Sequence, residues 1–185
     1  KSLFCWLKTK GNDFFGDSDV WIACDDQANE KADFIWFADG QNPVLRLIHI
    51  KAATSKTDQR EIKVGAFEIV VSQAVKNLIY LDNELLSAGL KGGADRIAYD
   101  LVWHNGAKTT RTAMLDALTN AGVHLRKEVV IIQPHIFEKS YLEARNNKDS
   151  QNGMRLRLLD SLLLNSRTSV NHFSASFRVL CSKNP

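Results

Sequence analysis

Residues 33–51 read DFIWFADGQNPVLRLIHIK, and this stretch sets the expected fold of the chain. Two apolar runs, Phe34–Ala38 and Val44–Ile50, flank the polar segment DGQNP at residues 39–43. Asp, Gly, Asn and Pro are the residues of tight turns, and each apolar run has the length of a strand. The stretch therefore predicts a strand, a turn and a second strand.

Polar side chains lie at the two ends of this stretch, where Asp33 opens the first strand and His49 and Lys51 close the second. Because side chains alternate along a strand, His49 and Lys51 share one face, and Ile48 and Ile50 share the other. In an antiparallel pair the end of the second strand lies beside the start of the first, so we expect His49 and Lys51 near Asp33. An acid, a histidine and a lysine at one end of an apolar sheet form a candidate site for metal-assisted chemistry.

Length and composition are those of an ordinary globular domain. The chain has 185 residues, of which 44% are hydrophobic and 24% charged, and this length suffices to bury a core. We interpret residues 1–185 as a single domain, with its core at 20–135 and a C-terminal helix and strand at 136–182. The chain begins with Lys rather than Met, so we expect it to be excised from a longer protein.

The net charge and the cysteine spacing indicate which partners and which cellular location to expect. The net charge of +3 permits nucleic-acid binding without requiring it. Cys5, Cys24 and Cys181 show no CxxC spacing, which argues against a disulfide framework or a zinc site and favours a reducing, cytoplasmic location. No run reaches the roughly 20 apolar residues of a membrane helix, so a membrane is not expected among the partners.

The remaining elements follow from periodicity and turn residues. The sequence predicts a polar loop at 11–19, with its acids in a solvated turn. Predicted strands lie at 20–24, 128–133 and 177–181, the middle one stopped by Pro134. Predicted helices lie at 65–86, 109–120, 137–146 and 154–165. Residues 1–10 and 96–103 are ambiguous between helix and strand. The order indicates the α/β class, with a mixed central sheet flanked by helices.

A polar stripe runs along the predicted helix at residues 65–86. Gln73, Lys76, Asn77 and Tyr80 recur at helical spacing, so they share one side of that helix. The apolar residues of the same helix are expected to face the sheet. A polar loop before the helix carries three cations, Lys56, Arg60 and Lys63.

Taken together, Asp33, the His49-Ile50-Lys51 segment and the Gln73-bearing helix resemble the PD-(D/E)XK, or restriction-endonuclease-like, nuclease superfamily. That family has a metal-binding Asp at the start of a strand, an acid-x-Lys pair on the next strand, and then a helix across the sheet. Gln73 and Tyr80 are similar to the glutamine motif of the RecB-like branch. More narrowly, the run looks like nuclease domains of bacterial anti-phage and restriction systems, which are often joined to helicase or ATPase partners.

The resemblance implies a metal-dependent DNA endonuclease with Mg²⁺ or Mn²⁺ as cofactor. It implies Asp33 as a ligand, the Ile50 carbonyl as another, and Glu30 or Asp26 as a second carboxylate. Lys51 would steady the attacking water and the phosphate charge. Gln73 would brace the site or touch DNA, and the DNA backbone would be contacted by Lys76, Lys56, Arg60 and Lys63.

One departure from the family pattern is His49, which stands where the family has an acid. Imidazole is a poorer ligand than carboxylate for Mg²⁺, although Mn²⁺ and later metals accept it. His49 would bind the metal, hold a metal-bound water or contact the phosphate. Two other interpretations stay open: a degenerate domain that binds nucleic acid without cutting it, and a domain that docks a helicase or ATPase. Pairing of two copies to cut both strands also stays open.

Each of these residues taken alone has a structural explanation. A strand often ends in Lys because the long stem covers apolar surface. Asp33 can cap a turn, and Gln73 can be a helix-surface residue. Residues 106–109 (GAKT) lack the upstream glycine of a phosphate loop and fit a helix cap at Thr109 or Thr110. The other histidines are interpreted as structural or surface residues, namely His104, His124, His135 and His172.

Overall fold

A seven-stranded mixed sheet with six helices confirms the predicted α/β class. The computed structural model describes residues 3–25, 30–51, 61–91, 101–121 and 124–183. Within them the sheet has the strand order β5-β4-β1-β2-β3-β6-β7. Its strands are β1 Val20–Cys24, β2 Phe34–Ala38, β3 Val44–Ile50, β4 Val102–His104, β5 Ala107–Thr109, β6 Arg126–Phe137 and β7 Ala175–Ser182. The helices are α1 Leu3–Phe15, α2 Val64–Lys76, α3 Asn83–Lys91, α4 Arg111–Asn120, α5 Glu138–Asn146 and α6 Gln151–His172.

The chain divides into two compact units. Unit 1 consists of residues 1–48 and 77–128, and unit 2 of residues 49–76 and 129–185. The division falls inside β3, after Ile48, and inside β6, after Glu128.

The predicted meander β1–β2–β3 forms with the bounds expected from the sequence. β1 pairs antiparallel with β2, and β2 pairs antiparallel with β3. All five residues of β2 and all seven of β3 are buried, which explains why both read as continuous apolar runs rather than alternating ones. In this register Trp36 lies opposite Arg46 and Phe34 opposite Ile48.

Helix α1 replaces most of the loop predicted at residues 11–19, and that prediction was wrong as far as Phe15. The helix ends at Phe15, and the next residue, Gly16, has a φ of 71°, the left-handed conformation common after a helix C-terminus. Gly11 lies inside the helix because Trp36 packs against it: a Cβ there would lie 2.5 Å from the Trp36 ring. The Phe15 ring contacts Trp36 edge-on, with centroids 5.1 Å apart.

A buried ion cluster occupies the centre of unit 1. The Arg46 guanidinium donates to Asp17 Oδ2 and to Glu128 Oε2, and Trp36 Nε1 also donates to Asp17 Oδ2, at 2.9 Å. All three charged side chains are at most 10% exposed. The expectation that the acids of residues 11–19 lie in a solvated turn is therefore wrong for Asp17, because its carboxylate is held by a buried cation.

Strands β4 and β5 form a hairpin. The sequence had left residues 96–103 ambiguous between helix and strand and had assigned residues 106–109 to a helix cap rather than to a phosphate loop. Asn105 (φ 48°) and Gly106 (φ 82°) form the turn of the hairpin, and two consecutive positive φ values characterise the tight turn favoured by Asn-Gly. Thr110 then caps α4 by accepting from Ala113 N, which confirms the predicted cap. The His104 ring stacks on Trp21, and its Nε2 hydrogen-bonds Asp19 Oδ1 at 2.6 Å.

The single helix predicted at residues 65–86 is instead three short elements, and that prediction was wrong. α2 ends at Lys76, a 3₁₀ turn follows at Leu78–Leu81, and α3 begins at Asn83. The buried Asn77 side chain donates to the Glu30 carbonyl at 3.0 Å. Tyr80 therefore does not continue the stripe that Gln73 and Lys76 occupy on α2.

Unit 2 has a core of its own, and β6 runs through it past Pro134 to Phe137. The prediction that Pro134 stops this strand was wrong. The Lys51 N–H, just after β3 ends, donates to the Ile132 carbonyl at 3.0 Å, two residues before Pro134, and the strand continues through the proline. The core consists of Ile62, Phe67, Ile136, Ala144, Leu156 and Leu159.

In the part of the chain that the structure describes, no helix is long and apolar enough to cross a membrane.

Two helical glycines provide a matched test of this packing. We expect Gly11→Ala to destabilise the protein by about 1–3 kcal/mol, because overpacking against Trp36 outweighs the better helix propensity of Ala. Gly65→Ala in α2 should be neutral or stabilising by up to about 1 kcal/mol, because its Cβ would meet nothing closer than 3.7 Å. Urea unfolding measures both free energies. A Gly11→Ala protein as stable as Gly65→Ala would contradict the described packing.

Candidate functional site

The predicted site residues belong to both compact units, and several of them lie next to residues paired in the β2–β3 hairpin. Phe34, directly after Asp33, lies opposite Ile48, directly before His49. Asp33 and Glu30 belong to unit 1, whereas His49, Ile50, Lys51 and Gln73 belong to unit 2. The two sets are described separately.

In unit 1, backbone contacts hold the segment that carries Glu30 and Asp33. The Asp33 carbonyl accepts from Asp25 N at 3.1 Å, and the Glu30 carbonyl accepts from the Asn77 side chain. Both residues are partly exposed. Asp26, the other candidate carboxylate, lies outside the described residues.

Asp25 is an acid that the sequence did not single out, and it organises this part of unit 1. Its carboxylate accepts from Lys31 N at 3.0 Å. The Lys31 ammonium and the Arg111 guanidinium lie 4.0 and 3.9 Å from its oxygens. Two cations therefore already neutralise Asp25. Its position directly after a strand was the feature of the sequence that could have marked Asp25 as a candidate.

In unit 2, His49 is the most unusual polar residue. It is 1% exposed, and its Nε2 has no hydrogen-bond partner within the described residues. Burial lowers the pKa of His49 from 6.5 to about 4, because removing the ring from water disfavours its charged form. At neutral pH His49 is thus an uncharged imidazole with a buried nitrogen that forms no hydrogen bond, and the neutral ring is the form that binds metals.

The other predicted residues of unit 2 differ in exposure. Ile50 is buried and Lys51 is partly exposed, whereas Gln73, Lys76 and Lys63 are exposed. On α2 the buried face consists of Phe67, Val70, Val71 and Ala74, so Gln73 and Lys76 lie on the outer surface of the helix. Lys56 and Arg60 fall outside the described residues.

Gln133 is a buried glutamine that the sequence analysis missed. It is fully buried, and its Nε2 donates to the Ala66 carbonyl of α2 at 3.4 Å. Its Oε1 is buried and has no hydrogen-bond partner among the described residues. A polar residue closing the apolar run at 128–133 was the available signal, and such an orphaned acceptor is costly unless a donor reaches it.

Among the residues that the structure describes, no three His, Cys, Asp or Glu side chains cluster in a way that could hold a metal ion. The donor set expected from the sequence consists of the Asp33 carboxylate, the Ile50 carbonyl and a second carboxylate from Glu30 or Asp26, with the His49 imidazole as a further ligand. Glu30, Asp33 and His49 are all described, and they do not form such a cluster. Such a mixed oxygen and nitrogen set suits Mn²⁺ better than Mg²⁺. The unpartnered Nε2 of His49 fits the role of a ligand.

Comparison of the chain with protein-family models, with curated proteins and with solved structures finds no match.

The neutral, buried His49 predicts a particular pH dependence of stability. Between pH 6.5 and about 4 the unfolded chain binds a proton at this position and the folded chain does not. The free energy of unfolding should therefore fall as the pH falls through this window, by up to about 3 kcal/mol from His49 alone.

Urea unfolding at several pH values measures this dependence in wild type and in His49→Leu, which does not titrate. The variant should lose less stability than wild type between pH 6.5 and 4. His172→Gln, which removes an exposed histidine at the end of α6, serves as the control and should keep the wild-type slope. Equal slopes for wild type and His49→Leu would show that His49 is not buried in its neutral form.

Proposed function

We propose that this chain is a metal-dependent DNA endonuclease, acting in a bacterial defence or restriction system. The observation that carries the proposal is the β2–β3 register, in which Phe34 lies opposite Ile48. That pairing supports a site in which Asp33 opens one strand and the His49-Ile50-Lys51 segment closes its neighbour. The α/β fold with a mixed sheet and a helix after β3 is consistent with it.

In this proposal the divalent ion is held by Asp33, by His49 Nε2 and by the Ile50 carbonyl, with Glu30 or Asp26 as a further acid. Such an ion, when bound, supplies an activated water and neutralises charge on the phosphate. The neutral state of His49 keeps its nitrogen lone pair available without adding positive charge. Burial of the ring fixes its orientation, as metal ligands require.

Lys51 is the proposed positioning group for the scissile phosphate. It follows β3 directly, and its backbone N–H is tied to the Ile132 carbonyl, which anchors the start of the side chain. Its partial exposure leaves the ammonium able to meet a phosphate oxygen and to hydrogen-bond the attacking water.

The exposed cations around α2 are the proposed DNA-backbone contacts. Lys63 lies just before α2 and Lys76 ends it, and both are exposed. Gln73 lies between them on the outer surface of the helix. With Lys56 and Arg60 of the preceding segment, these residues would contact phosphates, which gives affinity without reading base sequence. Pairing of two copies would allow both DNA strands to be cut.

A second candidate is a domain of the same fold that binds nucleic acid, or a helicase or ATPase partner, without cutting DNA. One observation favours it. The position that would carry a second carboxylate is instead a histidine that is 1% exposed, and a buried ring is less accessible to an ion than a carboxylate at the surface.

Cleavage of supercoiled plasmid, in Mg²⁺ and separately in Mn²⁺, tests the proposal. We expect cutting in Mn²⁺ to exceed cutting in Mg²⁺, because imidazole is a ligand that Mn²⁺ accepts more readily. Asp33→Asn and Lys51→Ala should each lower the rate by at least about 100-fold. Asp39→Asn, at the opposite end of β2, is the matched control and should keep the wild-type rate.

Cutting that persists in Asp33→Asn and Lys51→Ala would contradict the proposed site. No cutting with either metal, together with DNA binding that weakens steeply as salt rises, would favour the second candidate as a nucleic-acid-binding domain. Absence of both cutting and DNA binding would favour partner docking.

A further inference from the structure

Unit 2 contains a hollow of about 500 Å³ that plays no part in the proposed nuclease site. Its base is formed by residues of the unit 2 core, Phe67, Ile136, Leu156 and Leu159, each at most 4% exposed. Partly buried apolar side chains form its upper wall: Leu163 of α6 and Val179 of β7. The volume lies in the range of sites that take small organic molecules, about 300–1,000 Å³.

The hollow is open to solvent, and the side chains at its base belong to the apolar core of unit 2. Covering this apolar surface with an apolar group removes it from water, which is favourable. The apolar walls therefore favour an occupant with a bulky apolar body.

The rim of the hollow carries more negative than positive charge. Glu138 begins α5 and Asp160 lies on α6, and both are exposed. Neither carboxylate forms an ion pair or a side-chain hydrogen bond with the described part of the chain, and Lys183 is the cation among the lining residues. Two unpaired acids against one lysine favour a cationic group at the mouth.

We propose that this hollow binds a small molecule with an aromatic or branched apolar body and one protonated amine. The body lies against Phe67, Leu159 and Val179, and the amine lies beside Glu138 and Asp160. This site shares no residue with the Asp33–His49–Lys51 site, so ligand binding here can be tested independently of the proposed nuclease activity.

The proposal is tested by isothermal titration calorimetry on the intact chain with three probes. All three contain the same naphthalene ring, and they differ in charge. They are 1-naphthylmethylamine, 1-naphthalenemethanol and 1-naphthylacetate. We expect the amine to bind most tightly, the alcohol less tightly and the acetate least, because the body is common to all three and the charge at the rim differs.

Charge variants separate the rim from the walls. Asp160→Asn should weaken binding of the amine by about two- to fivefold, the range of an exposed ion pair, and leave the alcohol unchanged. Lys183→Met should strengthen binding of the amine, since it removes a like charge. Asp116→Asn, an exposed acid of α4 in unit 1, is the matched control and should change neither affinity.

A variant in which a larger side chain fills the hollow should bind none of the probes. Val179→Trp introduces a ring into the wall, and Leu163→Phe is the smaller alternative should the first variant fail to fold, as urea unfolding will show. Loss of amine and alcohol binding in a folded filling variant supports the proposal. The proposal is overturned if the amine fails to bind at millimolar concentration, if the acetate binds as tightly as the amine, or if Asp160→Asn leaves the amine affinity unchanged.

Discussion

The buried Arg46 guanidinium is the constraint on which the central strands depend. It lies inside β3, and its N–H groups donate to Asp17 and Glu128. Removing the Arg46 guanidinium would leave two carboxylates in the core without this cation, at a cost of about 3–5 kcal/mol. The Phe15 ring covers the guanidinium, 4.5 Å from its central carbon. One side chain thereby joins the end of α1, the loop after it and the strand β6 within unit 1.

The same contact sets the orientation of the candidate site. Along β3, Arg46 points to the face that carries α1, so His49 and Lys51, at odd spacing from it, point to the opposite face. A slip of one residue would exchange the two sets and move the guanidinium away from Asp17 and Glu128. The buried ion cluster is therefore what allows a strand with both Arg46 and His49 to adopt one register. Burial keeps His49 uncharged at neutral pH, and its Nε2 has no hydrogen-bond partner within the described residues.

The sequence predicted the meander β1–β2–β3 and its bounds to within a residue or two, because apolar runs bounded by turn residues are a local signal. It missed α1, because Gly11 reads as a loop residue until Trp36 is known to lie against it. It missed the roles of Asp17, Asp25 and Gln133, because their partners are distant in the chain. The helix break at Asn77 likewise depends on a contact with Glu30, 47 residues away, which no periodicity reveals.

The proposed nuclease function depends on Asp33 and His49 holding one divalent ion. An anomalous-difference map from crystals grown with Mn²⁺ tests this proposal most directly. The proposal predicts a manganese peak bound by the Asp33 carboxylate and His49 Nε2, which is absent in crystals of Asp33→Asn. A map at saturating Mn²⁺ with no peak at these two side chains, or with manganese bound only elsewhere, would contradict it.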